Sequence, residues 1–121
     1  MKTTAIKKYG TIIAVVESEM PIITDGQSAL DILANVRYET DCTCVALYKT
    51  AFCDAFFELR TGVLGEVLQK FINYRTPLAI IGDHAVYTSK ALRDFIYESN
   101  QGSAIHFAET LDDALMWCAR K

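Results

Sequence analysis

A chain of 121 residues, 51% hydrophobic and with a formal net charge of −3, is long enough for one packed core and too short for a second. That apolar content fills a core without disulfides or metal, and the acidic balance argues against general nucleic-acid binding, which needs a basic face. No apolar run approaches the ~18 residues of a membrane span, and residues 1–8 lack the apolar segment of a signal peptide, so a cytoplasmic protein is expected.

The four cysteines are Cys42, Cys44, Cys53 and Cys118. Cys42-Thr43-Cys44 is one residue tighter than a zinc-binding pair, and without a secretory signal a disulfide framework is not expected. The reading is four reduced cysteines that pack as small hydrophobes, with Cys42 and Cys44 turned to opposite faces of a strand start. Neither a metal site nor a cofactor is expected.

In chain order, residues 5–8 and 11–16 are two β-rich runs around Tyr9-Gly10, which reads as a tight hairpin with Gly10 supplying the unusual backbone angle. Thr24-Asp25-Gly26-Gln27 fits a capping box with Thr24 as the cap, ahead of Ala29, Leu30, Leu33 and Val36 at helical spacing. Val45-Ala46-Leu47-Tyr48 is the next strand. Residues 49–61 form an irregular stretch that holds Phe52, Phe56 and Phe57; a connection this long is often functional, although the three rings could simply close the core. Leu64, Val67, Leu68, Phe71 and Ile72 make the clearest amphipathic helix of the chain. Thr61 is its expected N-cap with Gly62 in the first turn, and a close packing approach is expected at Gly65.

Leu78-Ala79-Ile80-Ile81, followed by Gly82-Asp83, is a short apolar run between two helical patterns. It reads as a strand buried on both faces. Ser89 caps the next helix, whose inner stripe is Leu92, Phe95 and Ile96 and which stops at Asn100-Gln101-Gly102. Residues 104–107 form a last strand. Thr110-Leu111-Asp112-Asp113 opens a closing helix with acids placed at its N-terminus. The expected fold is therefore α/β: a single small domain over residues 1–121, with a mostly parallel or mixed sheet of about five strands flanked by about four helices.

In such sheets ligands sit outside the carboxyl ends of the strands, here Tyr48-Lys49 and Gly82-Asp83. Beside them Arg60-Thr61-Gly62-Val63-Leu64-Gly65 opens a helix, and its amides and dipole could hold an anion; no Lys-Ser/Thr pair follows, so this is not a P-loop. The plainer reading is a capped helix with glycines for packing. For catalysis the candidates are Asp83, His84 and Glu58 beneath the Phe-rich loop, His84 as a base and Asp83 with Asp54 or Glu58 as a carboxylate pair. Asp83 could instead bond the backbone amides of its own loop, and His106 is read as structural. Lys49, Tyr87 and Ser89 complete the rim.

The stretches 56–74, 79–83 and 87–100 are similar to a bacterial family of domains of unknown function, number 4180, over nearly the whole chain. More loosely, the order of elements and Thr61-Gly62-Val63-Leu64-Gly65 opening a helix resemble the STAS-type anti-sigma-factor antagonists. That resemblance implies an α/β fold of one sheet and four helices. It also implies a regulatory domain in which the hydroxyl residue at the Thr61 position is phosphorylated to switch a protein partner. Arg60 stands where that motif carries a hydroxyl residue, and no Asp lies immediately upstream. The leading expectation is a regulatory or binding module that takes a partner or a small anionic ligand at Arg60-Thr61-Gly62. A small enzyme or ligand binder using Asp83, His84 and Glu58 is the alternative, and a homodimer burying Tyr97 or Trp117 is a third reading.

Overall fold

The computed structural model describes residues 1–120. Five strands lie side by side in chain order: β1 (Lys2–Lys8), β2 (Thr11–Glu17), β3 (Cys44–Tyr48), β4 (Leu78–Ile81) and β5 (Ile105–Ala108). β1 runs antiparallel to β2, and β2 to β5 are parallel to one another. The four α-helices among the described residues are α1 (Gly26–Thr40), α2 (Val63–Asn73), α3 (Lys90–Gln101) and α4 (Leu111–Ala119). The chain is thus a small α/β unit with a mixed five-stranded sheet. No helix among the described residues is long and apolar enough to cross a membrane.

The hairpin expected around Tyr9-Gly10 forms with a two-residue loop in which both residues take positive φ, 50° and 80°. That is the pattern whose twist matches paired strands, and it sets Lys8 opposite Thr11 and Ile6 opposite Ile13. Side chains on the inner strands then alternate between the two faces. Ala14, Val16, Val45, Leu47, Leu78, Ile80 and Phe107 face α1, α2 and α3 in the larger core. Ile13, Val15, Cys44, Ala46, Ala79, Ile81 and Ala108 face α4. The alanines and the cysteine on that second face are small, which lets one short helix sit close to the sheet.

Local details correct several expectations. Asp25, not Thr24, caps α1: its Oδ1 accepts from the Ser28 amide at 2.8 Å, and the Ser28 hydroxyl accepts from the Asp25 amide at 3.1 Å. The reciprocal bond of a capping box needs a side chain at the third helical position, and Ser28 fills it with a hydroxyl. α2 is capped by Gly62 at φ 79° rather than by Thr61. The close approach of helices occurs at Gly26, where a Cβ would lie 2.8 Å from the Glu66 carboxylate, whereas a Cβ on Gly65 would meet nothing within 4 Å. Cys44 and Cys118 are bonded as a disulfide with Cα atoms 5.9 Å apart, and Cys42 and Cys53 are free. The sulfurs meet because β3 and α4 share one face of the sheet, although 74 residues separate them. Trp117 is buried against the sheet, stacked on His106, whereas Tyr97 is 70% exposed.

Candidate functional site

The parallel strands β3 and β4 end side by side, with Tyr48 opposite Ile81. The residues that follow them, Lys49 and Gly82-Asp83, therefore share one rim, as expected for an open parallel sheet. Above that rim the stretch 49–61 folds as three short 3-10 turns, Lys49–Ala51, Asp54–Phe57 and Leu59–Thr61. It is tied down by a parallel bridge between Ile23 and Phe52, with the Cys53 amide donating to the Ile23 carbonyl at 3.0 Å. Phe56 is fully buried and Phe52 nearly so, their rings 4.4 Å apart, so these two close one end of the core. Phe57 is only half-buried and faces the rim.

At this rim four side chains interlock. Phe57 and Tyr87 stack with ring centroids 5.2 Å apart and planes 16° from parallel. The Lys49 ammonium lies 4.6 Å above the Tyr87 ring and 5.8 Å from that of Phe57, which places the cation against the electron-rich ring faces. It donates to the Asp83 carbonyl at 2.6 Å. The route of the lysine stem depends on Gly82, at φ 156°: a Cβ there would fall on Cγ and Cδ of Lys49. His84 is 3.4 Å from the Tyr87 hydroxyl through Nδ1 and 2.9 Å from the Ile80 carbonyl through Nε2. A carbonyl only accepts, so Nε2 carries the proton, and Nδ1 accepts from the Tyr87 hydroxyl.

Burial pushes the His84 imidazole below its ordinary 6.5; the Ile80 carbonyl opposes that shift and the Lys49 charge adds to it. Burial, reinforced by the Asp83 charge, pushes the Tyr87 phenol up to about 12. At neutral pH the pair is therefore an uncharged donor and acceptor beside a fixed cation. In front of it opens a cleft of about 420 Å³ lined by Lys49, Thr50, Phe52, Phe57 and Tyr87, with Glu19 and Asp54 also on its walls.

The other candidates do not join this cluster. The Asp83 carboxylate accepts from the Ala85 amide at 3.0 Å, shaping its own loop. Glu58 makes a long ion pair with Arg60 at 3.9 Å, and the Arg60 side chain is 89% exposed; neither reaches Asp83 or His84 through a hydrogen bond or ion pair among the described residues. Thr61 turns its hydroxyl back to the Ala55 and Glu58 carbonyls, at 2.7 and 2.8 Å, and accepts from the Val63 amide at 3.3 Å. Gly62, the cap of α2, and Gly65 within it are exposed. Ser89 is the cap of α3, accepting from the Leu92 amide at 3.2 Å. Glu19, Pro21 and Thr50 line the cleft without having been singled out from the sequence, whereas the aromatic density of residues 49–61 points to Phe57. Among the described residues no group of three or more His, Cys, Asp or Glu could hold a metal ion.

Residues 8–118 match the profile of the family described as Domain of unknown function (DUF4180), and the chain belongs to that family. No curated protein matches. The crystal structure of Pseudomonas putida nuclease MPE is similar to 89% of this chain with a TM-score of 0.48 and 14% identity, and this chain spans 60% of that one.

Proposed function

We propose that this protein is a small regulatory module that binds a ligand in the cleft at the carboxyl ends of β3 and β4. The observation that carries the proposal is the Lys49 ammonium fixed over the stacked Phe57–Tyr87 pair, with one of its three donors engaged among the described residues. Such a platform suits a planar or apolar body that stacks on the rings and offers an acceptor to Lys49. Glu19 and Asp54 on the same cleft call for hydroxyl or amino donors on the ligand rather than a second anion. The engaged nitrogens of His84 and the loop-bound carboxylate of Asp83 argue for holding a ligand over turning one over. The order of the elements, with one antiparallel strand ahead of a parallel set, supports a STAS-like plan.

A second reading rests on α2. Asp25, Ser89 and Thr110 cap α1, α3 and α4 through their side chains, but the cap of α2 is a glycine, and Thr61 Oγ1 meets the first amide of that helix, Val63, at 3.3 Å. A phosphoryl group on Thr61 would add about −1.5 to −2 charges beside Arg60 and the first-turn amides of α2, and would break the hydroxyl's bonds to Ala55 and Glu58.

A thermal-shift screen of nucleosides, aromatic amino acids and their phosphates separates the two. A ligand at 100 times its Kd should stabilise the fold by about 2.7 kcal/mol. The cleft requires that this gain vanish in Lys49→Ala and Tyr87→Leu and survive in Arg60→Ala. The opposite pattern would move the site to the start of α2.

A further inference from the structure

On the larger face of the sheet, α2 packs closely against α1 through Gly26 and Glu66, and α3 lies over β5. Between α2 and α3 the layer is left open as a groove of about 430 Å³. Its floor is Leu64, Leu68 and Ile105, each no more than 5% exposed, and Ile72 on its wall is 46% exposed. Gly65 sits in that wall. A glycine inside a helix costs about 1 kcal/mol against alanine, yet Gly65 has no positive φ and a Cβ would meet nothing within 4 Å. Neither backbone nor packing calls for glycine there; its effect is to keep the wall of the groove one methyl lower.

We propose that the groove is a second binding site, for a linear amphiphile with an apolar tail and a cationic head. The volume falls within the range of small-molecule sites, and the lining is mostly apolar with a few polar groups. Eight residues separate Leu64 from Ile72, so the apolar floor runs for about 12 Å, which suits a medium-length alkyl chain. Among the described residues Glu98 is the one charged side chain that lines the groove. It sets the sign of the head group: a fatty carboxylate would be placed beside a like charge, an ammonium beside an opposite one.

The probes are octylammonium, octanol and octanoate, each below its micellar concentration, titrated into the full-length protein and followed by amide NMR. Octylammonium should shift amides of α2, α3 and the turn before β5. It should bind about two- to fivefold more tightly than octanol, the range expected for one exposed ion pair, and octanoate should bind most weakly. Glu98→Gln should erase the preference for the ammonium and leave octanol unchanged. Gly65→Phe should abolish all three, and the milder Gly65→Ala should weaken them while raising Tm. Equal binding of octanoate, shifts confined to the Lys49–Tyr87 cleft, or undiminished binding in both Gly65 variants would overturn the proposal. So would a groove that ignores all three probes and takes an amphipathic peptide instead. None of these readouts depends on the cleft at β3 and β4.

Discussion

Two stretches of one rim carry similar residues and behave differently. Lys49 and Phe57 come from one connection, His84 and Tyr87 from another, and the four interlock through a stacked pair, a cation over both rings and a hydroxyl-to-imidazole bond. Glu58, Arg60, Thr61 and Gly62 are neighbours in the chain and do not converge: one long ion pair joins Glu58 to Arg60, and the Thr61 hydroxyl points back into its own turn. The difference lies in what holds each group. The first set hangs from the ends of two adjacent buried strands and from a loop anchored by Phe52 and Phe56. The second caps a short turn at the surface. Proximity in sequence brings charges near one another, but convergence needs a scaffold that leaves the side chains few alternatives.

The comparison is broken most severely by removing its support. Phe56→Ala should destabilise the fold by about 3–5 kcal/mol, the usual range for a fully buried phenylalanine. Because Phe56 also packs edge-on against Phe57 at 4.8 Å, the same change should release the Phe57–Tyr87 stack. Urea denaturation measures the first effect and the ring-shifted NMR signals of Tyr87 the second. A stability loss with an undisturbed Tyr87 would mean that the stack is held from the β4 side alone. Gly82→Ala should cost less, about 1–3 kcal/mol, because Lys49 must leave its route over Tyr87 to make room for the Cβ. Gly62 also has positive φ but open space around it, so Gly62→Ala should spare the cleft while straining the start of α2.

These contrasts also mark how far the sequence could be read. The helices, the five strands and the rim of β3 and β4 followed from periodicity and from the buried run at Leu78, because burial on both faces leaves a pattern along the chain. Contacts between distant residues leave none. Gly26 and Gly65 look alike in sequence, but only the packing of Glu66 and Lys70 against α1 distinguishes them. Cys44 and Cys118 gave no spacing signal, since their pairing depends on α4 lying across the face opposite the other three helices. The caps slipped by one residue at Asp25 and Gly62 because a threonine, itself a good cap, precedes each of them, and backbone angle chooses between the neighbours. Tyr87 stood among the rim candidates, but its stacking on Phe57 depends on how the three 3-10 turns fold.

A subtler probe uses acid and alkali. The folded protein holds His84 below its ordinary 6.5, so it binds fewer protons there than the unfolded chain. The contribution is complete above about pH 6.5 and is lost as pH falls through the lowered value. Tyr87 shifts the other way, from 10 to about 12, and its contribution is complete below pH 10 and lost as pH rises to 12. Chemical denaturation across pH should show both limbs in the native protein. His84→Gln should flatten the acid limb, and Tyr87→Phe the alkaline one. If Tyr87→Phe left the alkaline limb intact, the phenol would not be its source.

The smallest effect is expected from the residue whose charge drew attention first. The Arg60 side chain is 89% exposed and its partner Glu58 54%, at 3.9 Å. A pair in that setting is worth between nothing and about 1 kcal/mol, and salt screens it further. Arg60→Ala should therefore change stability by no more than about 0.5 kcal/mol, and it should leave binding at the Lys49–Tyr87 cleft unaltered. The test gains force when it is run at low and high salt, because a guanidinium that served the start of α2 would steer anions most strongly where screening is weak. A loss of ligand affinity in Arg60→Ala that grows as salt is lowered would show that the surface turn, for all its looseness in isolation, closes on a bound anion. An effect absent at both salt concentrations would leave Arg60 as a solvated surface charge and Lys49 as the cation on which recognition depends.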